Sequence, residues 1–276
     1  MPRNPFKDST ALVTGGAGGL GRALGRALAV RGARVVLADL RGDDVEALAE
    51  AWTAEGWRVQ GVSLDVTDPE AFSARVQHII DTHGRLDFLF NNAGIGITGE
   101  VRDMDLDAWN RVLDVNLRGV IHGIAATYPH MIRQGDGHIA NTACVAGLVP
   151  FPMTAAYCAS KHAVVALSAS LRGEAADLGV RVSVICPGTI DTGMFEAIEY
   201  IRTDKDAIVH GIRPTLMPVE RCAEAILRGI TKNRAIIPVS LHARVVWWLY
   251  RLMPVPFLAL ARRGFGLFRK KLRTEQ

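Results

Sequence analysis

Runs of continuously apolar residues alternate with helix-patterned segments almost to the end of this chain, and that alternation restricts the fold more than any other feature. Ala11–Thr14, Arg34–Asp39, Arg58–Asp65, Leu86–Asn91, His138–Cys144, Arg181–Cys186 and Ala235–Val239 read as strands. Helices are predicted over Gly19–Arg31, Asp43–Glu55, Ala155–Leu178 and Val219–Lys232. Another begins at an Asp68 N-cap with Pro69 as first helical residue, carries Phe72, Val76, Ile79 and Ile80 on one stripe, and stops at Gly84. Most of the strands do not alternate apolar with polar residues, which is the pattern of parallel strands covered on both faces. Strands separated by helices imply right-handed βαβ units. The expected fold class is therefore α/β: a doubly wound Rossmann fold of about seven parallel strands with helices on both faces. With 49% apolar residues the chain can bury such a core. No fixed-period repeat or low-complexity linker interrupts it, so one catalytic domain over 1–240 and a tail over 241–276 is the simplest division.

Thr14-Gly15-Gly16-Ala17-Gly18-Gly19-Leu20-Gly21 lies between the first strand and the first helix. Glycines there allow positive φ and close backbone approach, and a helix N-terminus offers free N–H groups to a pyrophosphate. Asp39 ends the second strand, 24 residues after Gly15. That is where a carboxylate accepts hydrogen bonds from an adenosine ribose. A carboxylate also repels a 2′-phosphate, so NAD is the expected cofactor and NADP the alternative. Arg41 is the feature that argues for NADP. The bland reading, tight turns alone, does not explain why strand, loop, helix and acid occur together.

Tyr157 and Lys161 stand four residues apart on a predicted helix, which puts them on one face. A phenol ordinarily titrates near pH 10. A neighbouring ammonium favours the phenolate, so the pair suits proton exchange with an alcohol–ketone couple. The spacing alone is common by chance.

Five ordered motifs between about Ser9 and Val239 resemble the short-chain dehydrogenase/reductase family, in its compact single-domain NAD(P)-dependent branch. They are TGGAGGLG at Thr14–Gly21, NNAG at Asn91–Gly94, Asn116 within Asp114-Val115-Asn116, YCASK at Tyr157–Lys161, and PGTIDT at Pro187–Thr192. The resemblance implies an NAD-dependent alcohol dehydrogenase or ketone reductase. Tyr157 would exchange the proton with the substrate oxygen. Lys161 would hold the nicotinamide ribose and lower the tyrosine pKa, and Asn116 would hold a water linking Lys161 to solvent. Gly15, Gly18, Gly19, Leu20 and Gly21 would cradle the pyrophosphate, while Asp39 and Leu40 would face the adenosine. Asp65 and Val66 would line the adenine pocket, and Asn92, Ala93 and Gly94 would pack along the cofactor. Pro187 and Gly188 would shape the loop from which Ile190 and Thr192 meet the nicotinamide amide or a phosphate.

One position departs from the family pattern. A serine usually precedes the tyrosine by 13 residues, and Cys144 stands there. A thiol is a weak donor, and losing one such donor typically costs 10²–10³ in rate. Cys144 would donate weakly, or Thr142 would partly compensate from deeper on the strand, or the protein would be a weakly active or non-catalytic NAD-binding sensor or scaffold. An active enzyme is the expected outcome, because the other catalytic residues are present.

Gly193–Met217 is expected to form a substrate lid. Its mixture of Met194, Phe195, Ile198, Tyr200, Ile201 and Ile208 with acids suits a lipophilic secondary alcohol or ketone, and equally suits simple core coverage. The net charge of +4 is uneven: residues 241–276 hold eight Arg/Lys and one acid, which leaves −3 for the remainder. That balance argues against nucleic acid as a partner. Val245–Leu260, with Trp247, Trp248, Tyr250 and Phe257, is too short and too charged to span a bilayer. It fits peripheral contact with an anionic membrane, or packing on a subunit or over the cleft. Relatives in the family suggest a homodimer or homotetramer. The four cysteines, Cys144, Cys158, Cys186 and Cys222, lack metal-ligand spacing and read as reduced thiols. Met1–Ser9 has no apolar run of the signal-peptide type, so a cytoplasmic location is expected. No metal site is expected.

Overall fold

The computed structural model describes residues 4–212 and 216–272; the remaining residues of the expected lid and tail, 213–215 and 273–276, lie outside the described residues. Seven parallel strands form the central sheet: β1 (Thr10–Thr14), β2 (Arg34–Asp39), β3 (Val59–Ser63), β4 (Phe88–Asn91), β5 (Gly137–Thr142), β6 (Val180–Cys186) and β7 (Ile236–Pro238). Their spatial order is β7-β6-β5-β4-β1-β2-β3. The chain thus winds outward in one direction from β1 to β3 and in the other from β4 to β7. At the β1–β4 junction the winding reverses, and the carboxyl edge of the sheet at such a junction is where folds of this kind form a ligand crevice.

The apolar runs are explained by two-sided burial. Successive residues of a strand point to opposite faces. Val13 of β1 and Phe90 of β4 pack with Leu24, Leu28, Ile226 and Leu227 on one face. Leu12 and Leu89 pack with Phe72, Val76 and Ile79 on the other. The first face is covered by α1 (Gly19–Val30), and the second by α3 (Pro69–His83). The cap at Asp68 forms as expected: its carboxylate accepts from the Glu70 and Ala71 N–H groups, and Gly84 ends the helix at φ 76°. Also present are α2 (Gly42–Ala54), α4 (Leu106–Leu113), α5 (Gly119–Gln134), α6 (Ala155–Glu174), α7 (Lys205–Ile212) and α8 (Val219–Thr231).

Between α4 and α5 the helix widens into one π turn over Asp114–Arg118. Such single-turn insertions are rare and recur at functional sites. The chain closes with α9 (Leu241–Leu252) and α10 (Pro254–Leu272). Ser240 caps α9 by accepting from Ala243 N–H at 3.0 Å, and Pro254 separates the two helices because it cannot donate to the preceding turn.

Candidate active site

Thr14 at the end of β1 ties the two loops at the edge of the crevice together. Its hydroxyl oxygen accepts from the backbone N–H groups of Asn92 and Ala93, both at 3.0 Å. Asn92 Nδ2 returns a bond to the Thr14 carbonyl at 3.0 Å. The loops after β1 and β4 are thereby locked to each other.

Gly15 sits at φ +67°, and a β-carbon there would lie 2.9 Å from the Ala93 backbone. Both facts require glycine. Gly18 is the N-cap of α1, which has no side-chain cap and no acidic residue in its first turn. The free N–H groups of Gly19, Leu20 and Gly21 thus face the crevice as an anion site with no carboxylate competing for it. Across it stands Thr192: a β-carbon on Gly19 would come within 2.6 Å of the Thr192 carbonyl oxygen. Alanine at position 19 should therefore push this wall away. Kd for the dinucleotide is expected to rise tenfold or more, equivalent to about 1.4 kcal/mol, with little change in Tm; calorimetric titration measures it.

Asp39 turns its carboxylate back on the same loop. Oδ2 accepts from Ala17 N–H at 3.0 Å and Oδ1 from Arg41 N–H at 3.1 Å. The Arg41 guanidinium is drawn toward Asp39 at 3.5 Å and Asp44 at 3.1 Å, which commits it to carboxylates. Leu40 beside it is 70% exposed and uncommitted. Further along the rim, the Asp65 carboxylate accepts from the Thr67 N–H at 2.8 Å. Val66 is buried against Gly119 at the start of α5.

The other wall comes from β5, the π turn and α6. Asn116 in that turn is fully buried. Its Oδ1 accepts from Ile95 N–H at 2.8 Å, and its Nδ2 donates to Ile95 O at 2.9 Å and to Ser160 Oγ at 3.3 Å. The side chain clamps the loop after Gly94 and ties it to α6. Gly94 keeps the space before it clear, since a β-carbon there would lie 3.0 Å from Asn116 Oδ1 and 3.4 Å from Lys161 Nζ.

Lys161 is 3% exposed. Its ammonium donates to the Thr142 carbonyl at 3.0 Å and lies 5.6 Å from the centroid of the Tyr157 ring. Burial pulls its pKa down to about 8, against the weaker opposing influence of Cys144 and Cys186. Tyr157 is half-buried among Ile97, Met104 and Ala156. Burial, reinforced by its hydrogen bond to Cys144 and the charge a thiolate there would carry, holds the phenol well above its ordinary pKa. This direction is opposite to the lowering expected from Lys161: withdrawal of the phenol from water, with Cys144 and Cys158 beside it, raises the pKa.

Cys144 extends from β5 to within hydrogen-bonding reach of Tyr157 and of the Ala146 N–H. Burial raises its pKa despite those contacts and Lys161, so it remains a neutral thiol with a proton to donate. Thr142 contributes its carbonyl and not its hydroxyl, whose oxygen is buried with no hydrogen-bond partner among the described residues. Pro187 follows β6, and its carbonyl accepts from Val145 N–H at 2.7 Å, which joins the loop bearing Ile190 and Thr192 to the loop bearing Cys144. Gly188 rests against Ser240, and Ile190 is buried in a short parallel pair with Met217.

The expected lid forms a short helix over Met194–Ala197, a strand Glu199–Tyr200 paired with Ile97–Thr98, and α7. Its residues Ile198 and Ile201 close on Gly96 and Gly99. Arg111–Glu199 at 2.9 Å and Arg202–Asp103 at 3.2 Å tie its rim. The apolar roof over Tyr157 is thus part of the fold.

Several contributors escaped the sequence reading. Thr14 lies inside the glycine motif, whose spacing carries no sign of the clamp its hydroxyl makes. The Ser160 link and the Asn141–Asn91 bridge at 2.9 Å under the sheet are contacts between distant segments, which no local pattern announces.

The family model for short chain dehydrogenases matches residues 9–201. EphD of Mycobacterium bovis, named as a probable oxidoreductase, is 34% identical over 95% of this chain, which spans only 46% of that relative's length. SadH of Mycobacterium tuberculosis, named as a putative oxidoreductase, is 32% identical over 95% of this chain and 97% of its own. Among solved structures, a short chain dehydrogenase/reductase from Burkholderia phymatum in complex with NAD superimposes with a TM-score of 0.82 at 29% identity, covering 89% of this chain and 94% of that one.

Proposed function

The chain belongs to the short-chain dehydrogenase family, and from that premise we propose that it transfers hydride between NAD and a secondary alcohol or ketone of a lipophilic substrate. The observation carrying this reading is the set of Tyr157, Lys161 and Cys144 beneath an apolar roof, at the crevice where the sheet order reverses.

The residues fit a nicotinamide dinucleotide: the uncapped α1 terminus suits its pyrophosphate, Asp39 its adenosine ribose, and the clearing at Gly94 its nicotinamide ribose beside Lys161. Once bound, that group supplies or accepts the hydride. Tyr157 supplies or accepts the proton at the substrate oxygen. Lys161 fixes charge beside the phenol, and Cys144 donates a second hydrogen bond to that oxygen. The roof excludes water, which strengthens each of these interactions.

The test is NADH absorbance with purified protein and a panel of lipophilic secondary alcohols and ketones. Turnover that rises with substrate apolarity supports the reading; dinucleotide binding without turnover on any of them contradicts it.

Asp39 supports NAD over NADP, because a 2′-phosphate would meet a carboxylate already oriented by Ala17 and Arg41. Asp39→Ser should lower kcat/KM with NAD tenfold or more, since a hydrogen bond to a charged group contributes about 1.5–3 kcal/mol. It should also raise kcat/KM with NADP. Initial rates with both cofactors give the ratio, and an unchanged ratio would remove Asp39 from the selectivity.

Cys144→Ser restores a stronger donor in nearly the same place. Turnover should hold or rise by up to roughly tenfold, the range of an ordinary hydrogen bond of about 0.5–1.5 kcal/mol. A large loss of kcat would assign the thiol an essential role of its own.

A further inference from the structure

We propose that the outer face of the two C-terminal helices docks on an anionic membrane surface. This stands on observations separate from the redox site and holds whether or not the redox reading does.

Helix α9 is apolar on two faces and only one is covered. Ala243 is fully buried, and Val246, Trp247 and Tyr250 pack with Leu148, Val149 and Phe151 of the loop after Cys144. On the other side Leu241, Val245, Trp248, Leu249 and Leu252 follow the spacing of a single helical stripe, and all are exposed, Trp248 by 54% and Leu252 by 70%. The patch continues onto α10 through Val255 and Leu258. Nine of the fifteen large exposed apolar residues of the described chain fall between Leu241 and Leu260. A helix with apolar residues all round requires a second partner, and a contiguous exposed patch of this kind marks an interaction surface.

The charges select the partner. Residues 241–272 contain seven Arg/Lys and no acid. Arg251, Arg262 and Arg263 are exposed and have no ion-pair partner among the described residues. Arg269 turns inward instead, bonding Glu100 at 2.7 Å, and fixes α10 to the body. A second copy of the same face would bring cations against cations with no carboxylate between them. Anionic headgroups with acyl chains beneath them meet both the stripe and the arginines. No helix among the described residues is long and apolar enough to cross a membrane, so the pair lies along the surface.

The test is flotation of the full chain with phosphatidylcholine vesicles, with and without roughly one-third phosphatidylglycerol, at low and high salt. Recovery with the anionic vesicles alone, release by salt and a blue shift of tryptophan emission are expected. The double variant Trp248→Glu, Leu252→Glu should lose tenfold or more of the vesicle affinity while binding dinucleotide as before; both positions are exposed, so the fold tolerates the change. Arg262→Glu with Arg263→Glu should abolish the preference for anionic lipid. The proposal is overturned if the wild type stays with the soluble fraction in every case, or if both double variants still float. It is equally overturned if light scattering shows a dimer that Trp248→Glu, Leu252→Glu dissociates, which would make a second copy the occupant.

Discussion

Tyr157→Phe should lower kcat by roughly 10³-fold or more while Kd for the dinucleotide changes less than about threefold; a positioned acid/base is worth typically 10²–10⁴. The ring remains and still fills its place among Ile97, Met104 and Ala156. Only the proton donor is lost. Cys144 is the nearest group that could substitute, and its raised pKa leaves it a poor base near neutrality. The pH dependence has a definite sign. Because the Tyr157 pKa is raised, the phenol is protonated at neutral pH, ready to donate to a carbonyl being reduced. Alcohol oxidation needs the deprotonated form, so its rate should climb as pH rises into the alkaline range while reduction declines. Steady-state rates in both directions across pH, for wild type and variant, check this. A Tyr157→Phe protein retaining a tenth of the wild-type kcat would exclude the phenol as the proton carrier.

Lys161→Met should remove activity and stabilise the fold. The ammonium is 3% exposed and its pKa falls from 10.5 to about 8. The unfolded chain therefore binds this proton more tightly than the folded one. The cost to folding is complete below about pH 8 and is relieved as pH rises from there toward 10.5. A shift of that size corresponds to about 3 kcal/mol. Methionine has a similar length and no charge to bury, but it gives up the hydrogen bond to the Thr142 carbonyl. The net gain should be about 1–2 kcal/mol, or a Tm higher by roughly 2–5 °C at pH 7, narrowing toward pH 10. Turnover should fall by 10²-fold or more, because no other described residue places a cation beside the phenol. Thermal melts at pH 7 and pH 10 with paired rate measurements separate the two effects. A lower Tm at pH 7 would show that the buried ammonium stabilises this fold.

A gain in Tm paired with a loss of turnover would explain why a lysine remains in so dry a position: it would contribute to chemistry at the expense of the fold. Active sites commonly carry this kind of local cost.

The fold was readable because two-sided burial leaves its mark on every strand. Leu12 and Val13 point to opposite faces and both are buried, so alternation vanishes from β1 and from its neighbours alike. Strand ends were less readable. The sequence predicts one strand over His138–Cys144, yet β5 ends at Thr142: Ala143 still donates to the Ile185 carbonyl at 2.8 Å, and at Cys144 the chain turns into a short 3₁₀ helix over Val145–Gly147. The last strand is only three residues long, Ile236–Pro238: Pro238 is tolerated there because its strand lies at the sheet edge, and after Val239 donates to the Cys186 carbonyl at 3.3 Å the chain turns at Ser240 into α9. At the site, glycine spacing and the Tyr157–Lys161 interval were visible as local patterns. The π turn at Asn116 was not, since one extra residue per turn leaves no periodic trace over five residues. Nor was the direction of the Tyr157 pKa, which follows from how many atoms shield the phenol and not from which residue stands four positions away. The tail showed its apolar and basic character in sequence; the division of α9 into a packed and an open face needed the loop after Cys144 in place.

A crystal structure of the protein with NAD bound examines the redox site most directly. The pyrophosphate should lie on the N–H groups of Gly19–Gly21, the adenosine ribose on Asp39, and the nicotinamide ribose on Lys161 Nζ, with the Tyr157 hydroxyl facing the space before the ring's reactive carbon. A nicotinamide held elsewhere, or a Tyr157 oxygen directed away from that carbon with no path back, would contradict it.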